Sequence, residues 1–230
     1  MQMVLYQRDA HELVLKRIFD LVMSGLLILT FLSWLCLLVF IVNWLFSNMS
    51  TFYVQKRKGM NGVPFFCYKF KTMVDRPEED ILPDRDPGGR LNRFSRWLRQ
   101  TGLDELPQLV NVWKGQMSLI GPRPYMEAET TELLKYRTDF RNRYLVKPGI
   151  SGWAQIHGCK GPMRSMADID RRLDLDLEYV RRWNFRMDLY IYTFSIWQAV
   201  LALFGHRVVL DRIQKESLKN EATGALSLDK

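Results

Sequence analysis

Residues 21–46 read LVMSGLLILTFLSWLCLLVFIVNWLF, and this apolar stretch decides the class of protein to which the chain belongs. No charged residue occurs between Leu21 and Gln55. As an α-helix, residues 21–46 would extend about 39 Å at ~1.5 Å per residue, whereas the hydrocarbon core of a bilayer is roughly 30 Å thick. The stretch is too long for a secretory signal peptide, and no small-residue cleavage site follows it. It therefore predicts a membrane-inserted N-terminal helix.

Basic residues flank the apolar stretch on both sides. Lys16 and Arg17 precede it, and residues 56–58 are Lys-Arg-Lys. Such residues normally mark the cytoplasmic side of a membrane segment, so a helix that enters, bends and returns would satisfy this preference at both ends. No proline occurs before Pro64 to break the helix, and a hydroxyl such as that of Ser33 bends a helix only gently. We expect a re-entrant helix, and a plain span stays open as the alternative.

The chain is basic overall. Its 230 residues carry a net charge of +8, and its pI is about 9.5. This balance suits nucleic acid, anionic lipid head groups or phosphorylated substrates. Because the basic residues cluster beside membrane-seeking segments, we expect membrane lipids and phosphorylated substrates as partners, and no nucleic acid. The cysteines Cys36, Cys67 and Cys159 are far apart, which argues against a disulfide framework or a zinc site.

A β-hairpin is predicted directly after the apolar stretch. Thr51 to Gln55 and Pro64 to Phe70 are rich in aromatic and β-branched residues. Asn61-Gly62 lies between them and is suited to the positive φ angles of a hairpin turn. The charged residues 75–89, which include three prolines, predict a surface loop.

Two further segments predict amphipathic helices. Leu91 to Gln100 has apolar residues on one face and an arginine at every third position. Leu189 to Phe204 is free of charge and aromatic, but short for a membrane span. Each segment suits the membrane interface, and packing on the protein's own core is the alternative. We therefore expect a mainly helical α+β protein with an anchor in residues 1–50, a catalytic domain in residues 51–210 and a flexible polar tail in residues 211–230.

The adjacent acids Asp104 and Glu105 are the sharpest chemical feature. They occur in the segment RQTGLDELPQ, residues 99–108. Pro107 is tolerated only in the first turn of a helix, so it predicts that the pair lies at a helix N-terminus, where negative charge is stabilised. Two neighbouring carboxylates allow one to attack phosphorus while the other handles a proton or a metal. The alternative is a capping box between Thr101 and Asp104, without a catalytic role.

Basic residues near the pair are candidates for binding phosphate. Arg99 lies five residues before Asp104, and Arg123 is enclosed by two prolines that reduce the entropy cost of aiming its guanidinium. Lys69, in the second predicted strand, is a further candidate. The alternatives are structural, namely a salt bridge for Arg123 and a solvated strand edge for Lys69.

Two acidic pairs further along the chain offer a different site. Asp168-Ile-Asp170 and Asp174-Leu-Asp176 each match the acidic-x-acidic pattern that holds a metal in nucleotide-sugar glycosyltransferases. They lie in a stretch that is rich in both signs of charge, so a helix laced with salt bridges also explains them.

Six segments together resemble one protein family. In chain order they are KRIFD at 16–20, YKFKTM at 68–73, LDELPQLVNV at 103–112, KGQMSLIGPRP at 114–124, KPGISGWAQ at 147–155 and DLEYV at 176–180. In this order and at this spacing they resemble the bacterial sugar transferases, which are monotopic polyprenol-phosphate phosphoglycosyl transferases. The resemblance covers about residues 16–204. The family's anchor usually carries a Ser-Pro break, whereas this chain has Leu32-Ser33-Trp34 there.

The resemblance implies a mechanism and a location. Asp104 would attack the β-phosphate of a UDP-sugar and release UMP, with Glu105 as the assisting carboxylate. Undecaprenyl phosphate would then displace the aspartate from the covalent phosphosugar intermediate. The resemblance also implies a Mg²⁺ cofactor with Asp104 among its ligands, and phosphate-binding roles for Arg99 and Arg123. The catalytic domain would lie on the cytoplasmic face of the bacterial inner membrane.

The biological role follows from the same resemblance. It implies that the protein initiates a surface glycan such as exopolysaccharide, capsule or O-antigen. Residues 157–170 are closer to relatives that use a hexose such as glucose or galactose. Two other functions stay open: a metal-dependent glycosyltransferase that releases UDP, and a basic membrane adaptor without activity.

Overall fold

The computed structural model describes residues 9–46, 49–73, 93–161 and 165–203. The predicted loop at residues 75–89, Leu91 and the predicted tail at residues 211–230 lie outside these ranges. The α-helices are α1 Ala10–Leu27, α2 Ser33–Phe46, α3 Arg93–Thr101, α4 Gln108–Trp113, α5 Glu127–Tyr136, α6 Trp153–Ile156, α7 Met166–Arg182 and α8 Phe185–Leu203. The strands are β1 Phe52–Lys58, β2 Pro64–Phe70, β3 Ser118–Ile120 and β4 Gly149–Ser151. The mainly helical α+β class predicted from the sequence is confirmed.

The N-terminal helix extends through 37 residues, Ala10 to Phe46, and is long and apolar enough to cross a membrane. A π-helical turn, Ile28–Leu32, joins α1 to α2. The hydroxyls of Thr30 and Ser33 donate to the carbonyls four residues earlier, at 2.7 and 2.9 Å. A π turn interrupts the regular α-helical hydrogen-bond ladder. The irregularity just before Ser33 is therefore made by backbone and hydroxyl hydrogen bonds, without a proline.

The predicted hairpin is confirmed. Strands β1 and β2 pair in antiparallel register from Phe52 opposite Phe70 to Lys58 opposite Pro64. The turn contains the expected positive φ angles, 57° at Asn61 and 76° at Gly62. Side chains therefore alternate between two faces of the hairpin, and the face that carries Lys69 points towards the candidate site.

A second sheet, which the sequence did not predict, consists of β3 and β4 in parallel. Each strand has only three residues, too few for a recognisable alternation of apolar and polar positions. Glycines let the backbones around this sheet approach closely. A Cβ at Gly149 would lie 2.1 Å from the amide nitrogen of Gly121, and one at Gly152 would lie 2.3 Å from the carbonyl oxygen of Gly121. The sheet thereby fixes the chain that leads to Arg123.

The N-terminal helix contributes to the main hydrophobic core. Leu32, Leu35 and Val39 are buried in the same cluster as residues of the hairpin and of α4. Other side chains of the helix point outwards, among them Leu29, which is 77% exposed, and Trp34, which is 72% exposed. One stripe of this helix thus packs on the protein, and the rest presents a surface suited to lipid.

Helices α3 and α8 each combine a core face with an aromatic outer face. In α3, Leu98 is buried while Trp97 is 37% exposed and stacks with Phe94. In α8, Ile191 is fully buried while Trp197 is 42% exposed. Core packing and an outward apolar face, considered as alternatives from the sequence, therefore coexist in both helices.

The close approach of β4 to Gly121 predicts that Gly149→Ala destabilises the fold. The added methyl would meet backbone atoms on two sides, so we expect a loss of about 1–3 kcal/mol and a lower melting temperature in detergent. Gly161→Ala is the matched control, because no described atom lies within 4 Å of its Cβ position. Equal melting temperatures for the two variants would contradict the prediction.

Candidate active site

The candidate site is built around the carboxylate of Glu105. Lys69 Nζ donates to its Oε1 at 2.7 Å. Arg123 forms a two-pronged contact with the same group, from Nη2 to Oε1 at 2.6 Å and from Nη1 to Oε2 at 2.9 Å. Such a fork is the strongest geometry available to an arginine and a carboxylate. Both oxygens of Glu105 are therefore occupied by cations.

Three separate parts of the chain supply this cluster. Lys69 comes from β2, Arg123 from the loop after β3, and Glu105 from a 3-10 turn, Leu103–Glu105. The turn begins where Gly102, with φ of 75°, ends α3 in the left-handed conformation. The cluster thus forms only when the hairpin, the β3–β4 sheet and this turn have all packed together.

The position of the acidic pair corrects one sequence prediction. Helix α4 begins at Gln108, after Pro107, so Asp104 and Glu105 lie in the preceding turn and not in the first turn of the helix. Because α4 has only six residues, nearby cations and not a helix dipole dominate the charge environment of the pair. The alternative capping box is not formed either, since Thr101 is the last residue of α3 and its hydroxyl donates to Trp97 and Leu98 carbonyls.

The two neighbouring acids have opposite pKa shifts. Partial burial, and then the negative charge of Glu105, raise the pKa of Asp104 to about 6. Burial alone would also raise the pKa of Glu105, but Arg123 and Lys69 hold it well below its usual range. Within the described part of the chain, Asp104 makes no hydrogen bond or ion pair. Asp104 is therefore the carboxylate that is available to a substrate or a metal.

Arg99 lies beside this cluster without joining its hydrogen bonds. It is exposed near the end of α3, and its Nη1 lies 2.8 Å from the sulfur of Met73. Its positive charge nevertheless lowers the pKa of Asp104, as the charges of Lys69 and Arg123 do. Three cations and two carboxylates leave a net positive charge when Asp104 is ionised, which suits an anionic diphosphate.

Asn111 is a supporting residue that the sequence interpretation missed. Its side chain is fully buried; Oδ1 accepts from the Tyr68 amide at 3.1 Å, and Nδ2 donates to the Phe66 carbonyl at 2.7 Å. The amide group thus takes the place of a third strand beside β2 and holds Lys69 near Glu105. The available signal was a polar residue between the apolar residues Val110 and Val112.

The rival acidic residues on α7 all have structural partners. Asp168 caps the helix together with Ser165. Asp170 and Asp174 both accept hydrogen bonds from Arg137, at 3.3 and 2.8 Å. These contacts support the interpretation of this stretch as a helix laced with salt bridges.

The last of these acids, Asp176, supports the candidate site indirectly, through Arg143. It is buried and accepts a hydrogen bond from Arg143 Nη2 at 2.6 Å. The same nitrogen donates to the Arg123 carbonyl at 2.8 Å. Asp176 therefore helps to fix the loop that carries Arg123, in a role that differs from metal binding.

The residues present fit a magnesium ion that is shared with substrate. Mg²⁺ is usually bound by one or two carboxylates together with substrate phosphates and water. Asp104 supplies one such carboxylate, which makes no hydrogen bond or ion pair with another described residue. Among the described residues there is no cluster of three or more His, Cys, Asp or Glu that could form an all-protein site. A site at Asp104 that is shared with substrate phosphates is thus the arrangement that the described residues fit.

Known proteins similar to this chain come from several bacteria. The UDP-glucose:undecaprenyl-phosphate glucose-1-phosphate transferase of Escherichia coli is 35% identical over 80% of this chain and 40% of its own length. The undecaprenyl-phosphate glucose phosphotransferase of Komagataeibacter xylinus is 37% identical over 86% of this chain and 38% of its own length. This chain therefore spans about two fifths of each of these relatives. An uncharacterized sugar transferase of Bacillus subtilis, EpsL, is 37% identical over 83% of this chain and 89% of its own length.

The family model described as bacterial sugar transferase matches residues 11–202, from the start of α1 almost to the end of α8. The match includes every residue of the Lys69, Glu105 and Arg123 cluster. The chain belongs to the bacterial sugar transferase family.

Proposed function

We propose that this protein transfers a sugar-1-phosphate from a UDP-sugar to undecaprenyl phosphate and releases UMP. The observation that carries the proposal is the contrast between two adjacent carboxylates. Glu105 is held ionised by Lys69 and Arg123, whereas Asp104 is partly buried and has no partner in the described part of the chain. The names of the Escherichia coli and Komagataeibacter xylinus relatives support glucose as the sugar.

In the first step, an oxygen of ionised Asp104 attacks the β-phosphorus of the UDP-sugar. The bond from this phosphorus to the bridging oxygen breaks, and UMP leaves with that oxygen and its electron pair. An acyl phosphate remains, in which the side chain of Asp104 is joined to the sugar phosphate as a mixed anhydride. Splitting the transfer in this way replaces one difficult displacement by two easier ones.

In the second step, a phosphate oxygen of undecaprenyl phosphate attacks the same phosphorus. The bond to Asp104 breaks, the carboxylate is regenerated, and undecaprenyl diphosphate sugar is formed. Neither step requires a net proton transfer at phosphorus. Glu105 can therefore stay ionised throughout and assist by aligning Lys69 and Arg123 with the phosphates.

Charge stabilisation is the main task of this site, because both substrates are anionic. Lys69, Arg99 and Arg123 supply three positive charges close to Asp104, and preorganised charges of this kind stabilise a transition state effectively. We propose that Asp104 also holds Mg²⁺ together with the donor diphosphate. When bound, the ion acts as a Lewis acid that withdraws charge from the phosphoryl oxygens.

We further propose that the N-terminal helix is re-entrant and that the catalytic residues face the cytoplasm. Both ends of the helix contact the same protein body. Near its start, Asp20 accepts from the Leu119 amide at 2.9 Å, and near its end, Asn43 Nδ2 donates to the Lys71 carbonyl at 3.4 Å. The polyprenol stays in the bilayer whereas a UDP-sugar is soluble, so this site belongs at the inner surface of the bacterial cytoplasmic membrane. There the product would initiate a surface glycan such as exopolysaccharide, capsule or O-antigen.

The assay that tests the function measures UMP and UDP separately. Detergent-purified protein receives Mg²⁺, undecaprenyl phosphate and a panel of UDP-sugars, and we expect UMP release, strongest with UDP-glucose. Asp104→Asn should lower the rate at least about a thousandfold, because it removes the nucleophile. Asp174→Asn, which removes the rival acid on α7, should stay within about twofold of the native rate.

Other outcomes of this assay would replace the proposal. Release of UDP, lost in Asp174→Asn, would indicate a glycosyltransferase. Absence of any turnover by folded protein across the panel would favour a membrane adaptor.

The pKa of Asp104 predicts a pH dependence that responds to magnesium. Since only the ionised carboxylate attacks, single-turnover UMP release without lipid acceptor should fall as the pH drops through about 6. A bound cation competes with the proton, so saturating Mg²⁺ should move the midpoint down by about 1 unit or more. A midpoint that does not depend on Mg²⁺ would contradict metal binding by Asp104.

The proposed topology predicts that both ends of the helix are accessible from one side only. The test uses a variant in which the native cysteines are replaced by serine and one new cysteine is placed at Ala10 or at Ser50. Each new cysteine should react with an impermeant maleimide in inverted vesicles and not in intact spheroplasts. A cysteine at Lys135, exposed on α5, reports the side of the catalytic residues. Labelling of Ala10→Cys in spheroplasts alone would instead show a plain span.

A further inference from the structure

The start of the N-terminal helix is fastened directly to strand β3. Asp20 is 3% exposed, and its Oδ1 accepts hydrogen bonds from the Leu119 amide at 2.9 Å and the Ser118 hydroxyl at 3.0 Å. One helical turn earlier, Lys16 Nζ donates to the Ile120 carbonyl at 3.0 Å. These two side chains lie on the same face of α1 and together contact all three residues of β3.

These contacts complete a strand that has a partner on one edge only. Strand β3 pairs with β4 through Ser118 and Ile120, which leaves the amide of Leu119 directed to the other edge. A buried backbone amide without a partner costs free energy, and Asp20 supplies the missing acceptor. The N-terminal helix thus does for β3 what a third strand would do.

Lys16 is itself held rigidly in place. Its Nζ lies 2.5 Å from Oδ2 of the buried Asp188. Asp188 also accepts from the Tyr179 hydroxyl at 2.7 Å and from Trp183 Nε1 at 2.9 Å. The face of α1 that meets β3 is therefore fixed by α7 and α8 as well.

Arg123 follows β3 after only two residues. Gly121 is packed against the backbone of residues 147–149, and prolines stand on both sides of Arg123. Little freedom is left between the strand and the guanidinium that contacts Glu105. A displacement of β3 would therefore move Arg123 relative to Glu105 and Lys69.

We propose that Asp20 is a positioning residue for Arg123, through which the membrane-inserted helix sets the place of a phosphate-binding cation. The inference rests on the proposed function, which assigns Arg123 to the donor diphosphate. As a consequence, a change in the position of the helix in the bilayer would also change the position of Arg123 in the site. Asp20 acts on the reaction through β3, without touching the substrate.

Two substitutions separate positioning from a general loss of stability. Asp20→Ala removes the acceptor of both hydrogen bonds, whereas Asp20→Asn keeps an acceptor oxygen in the same place. Glu12→Ala is the matched control, because it removes an acid from the same helix at a position without a hydrogen bond or ion pair among the described residues. A protein that is merely less stable has fewer active molecules, but those molecules keep the native KM.

The kinetic test measures KM for UDP-glucose and kcat per active site in detergent-purified protein with Mg²⁺ and undecaprenyl phosphate. We expect Asp20→Ala to raise KM about tenfold and to lower kcat about tenfold or more, since small misplacements of aligned groups are costly. For Asp20→Asn, both KM and kcat should stay within about threefold of the native values. Glu12→Ala should have the native KM and kcat. If Asp20→Ala fails to fold, Ser118→Ala, which removes one of the two donors, should change KM in the same direction by a smaller factor.

A second measurement does not depend on activity. Hydrogen exchange followed by mass spectrometry should show faster exchange at residues 118–124 in Asp20→Ala, and native exchange there in Asp20→Asn and Glu12→Ala. Native KM and native exchange in folded Asp20→Ala would overturn the inference, as would equal defects in Asp20→Asn and Asp20→Ala. Failure of the native protein to release UMP would reject the proposed function, while the exchange data would still decide whether Asp20 holds this segment.

Discussion

The rest of the site depends on the ion pairs that the carboxylate of Glu105 forms with Lys69 and Arg123. This carboxylate joins three parts of the chain that are distant in sequence, namely β2, the turn before α4 and the loop after β3. Removing one partner of this partly buried charge cluster destabilises it, because the remaining charge is left uncompensated. Since both oxygens of Glu105 are engaged, the adjacent Asp104 stays available for chemistry.

Two-stranded sheets place both cations of this cluster, and a two-stranded sheet by itself is only marginally stable. Buried polar side chains from helices supply hydrogen-bond partners that a third strand would otherwise supply. Asn111 of α4 occupies the free edge of β2, and Asp20 of α1 occupies the free edge of β3. Each helix therefore controls the position of one cation, which explains how a mainly helical protein holds a precise arrangement of charges.

The N-terminal helix has two roles that a simple membrane anchor would not combine. Leu32, Leu35 and Val39 belong to the hydrophobic core, while the opposite face exposes large apolar side chains. Its polar contacts lie near both ends, at Asp20 and at Asn43. Under the proposed re-entrant topology, the exposed apolar face would contact lipid, and the core face of the same helix would hold the site at a fixed distance from the membrane.

The sequence by itself determined the local features: the long apolar helix, the hairpin with its Asn61-Gly62 turn and the adjacent acids Asp104 and Glu105. Each of these depends on neighbouring residues, so spacing and residue type suffice to predict it. Only the tertiary structure decided which groups meet, because the contacts join distant parts of the chain. Lys69 is 36 residues from Glu105, and Asp20 is 99 residues from Leu119. The same packing placed the acidic pair before α4 and not within it, since the start of a short helix depends on the body around it.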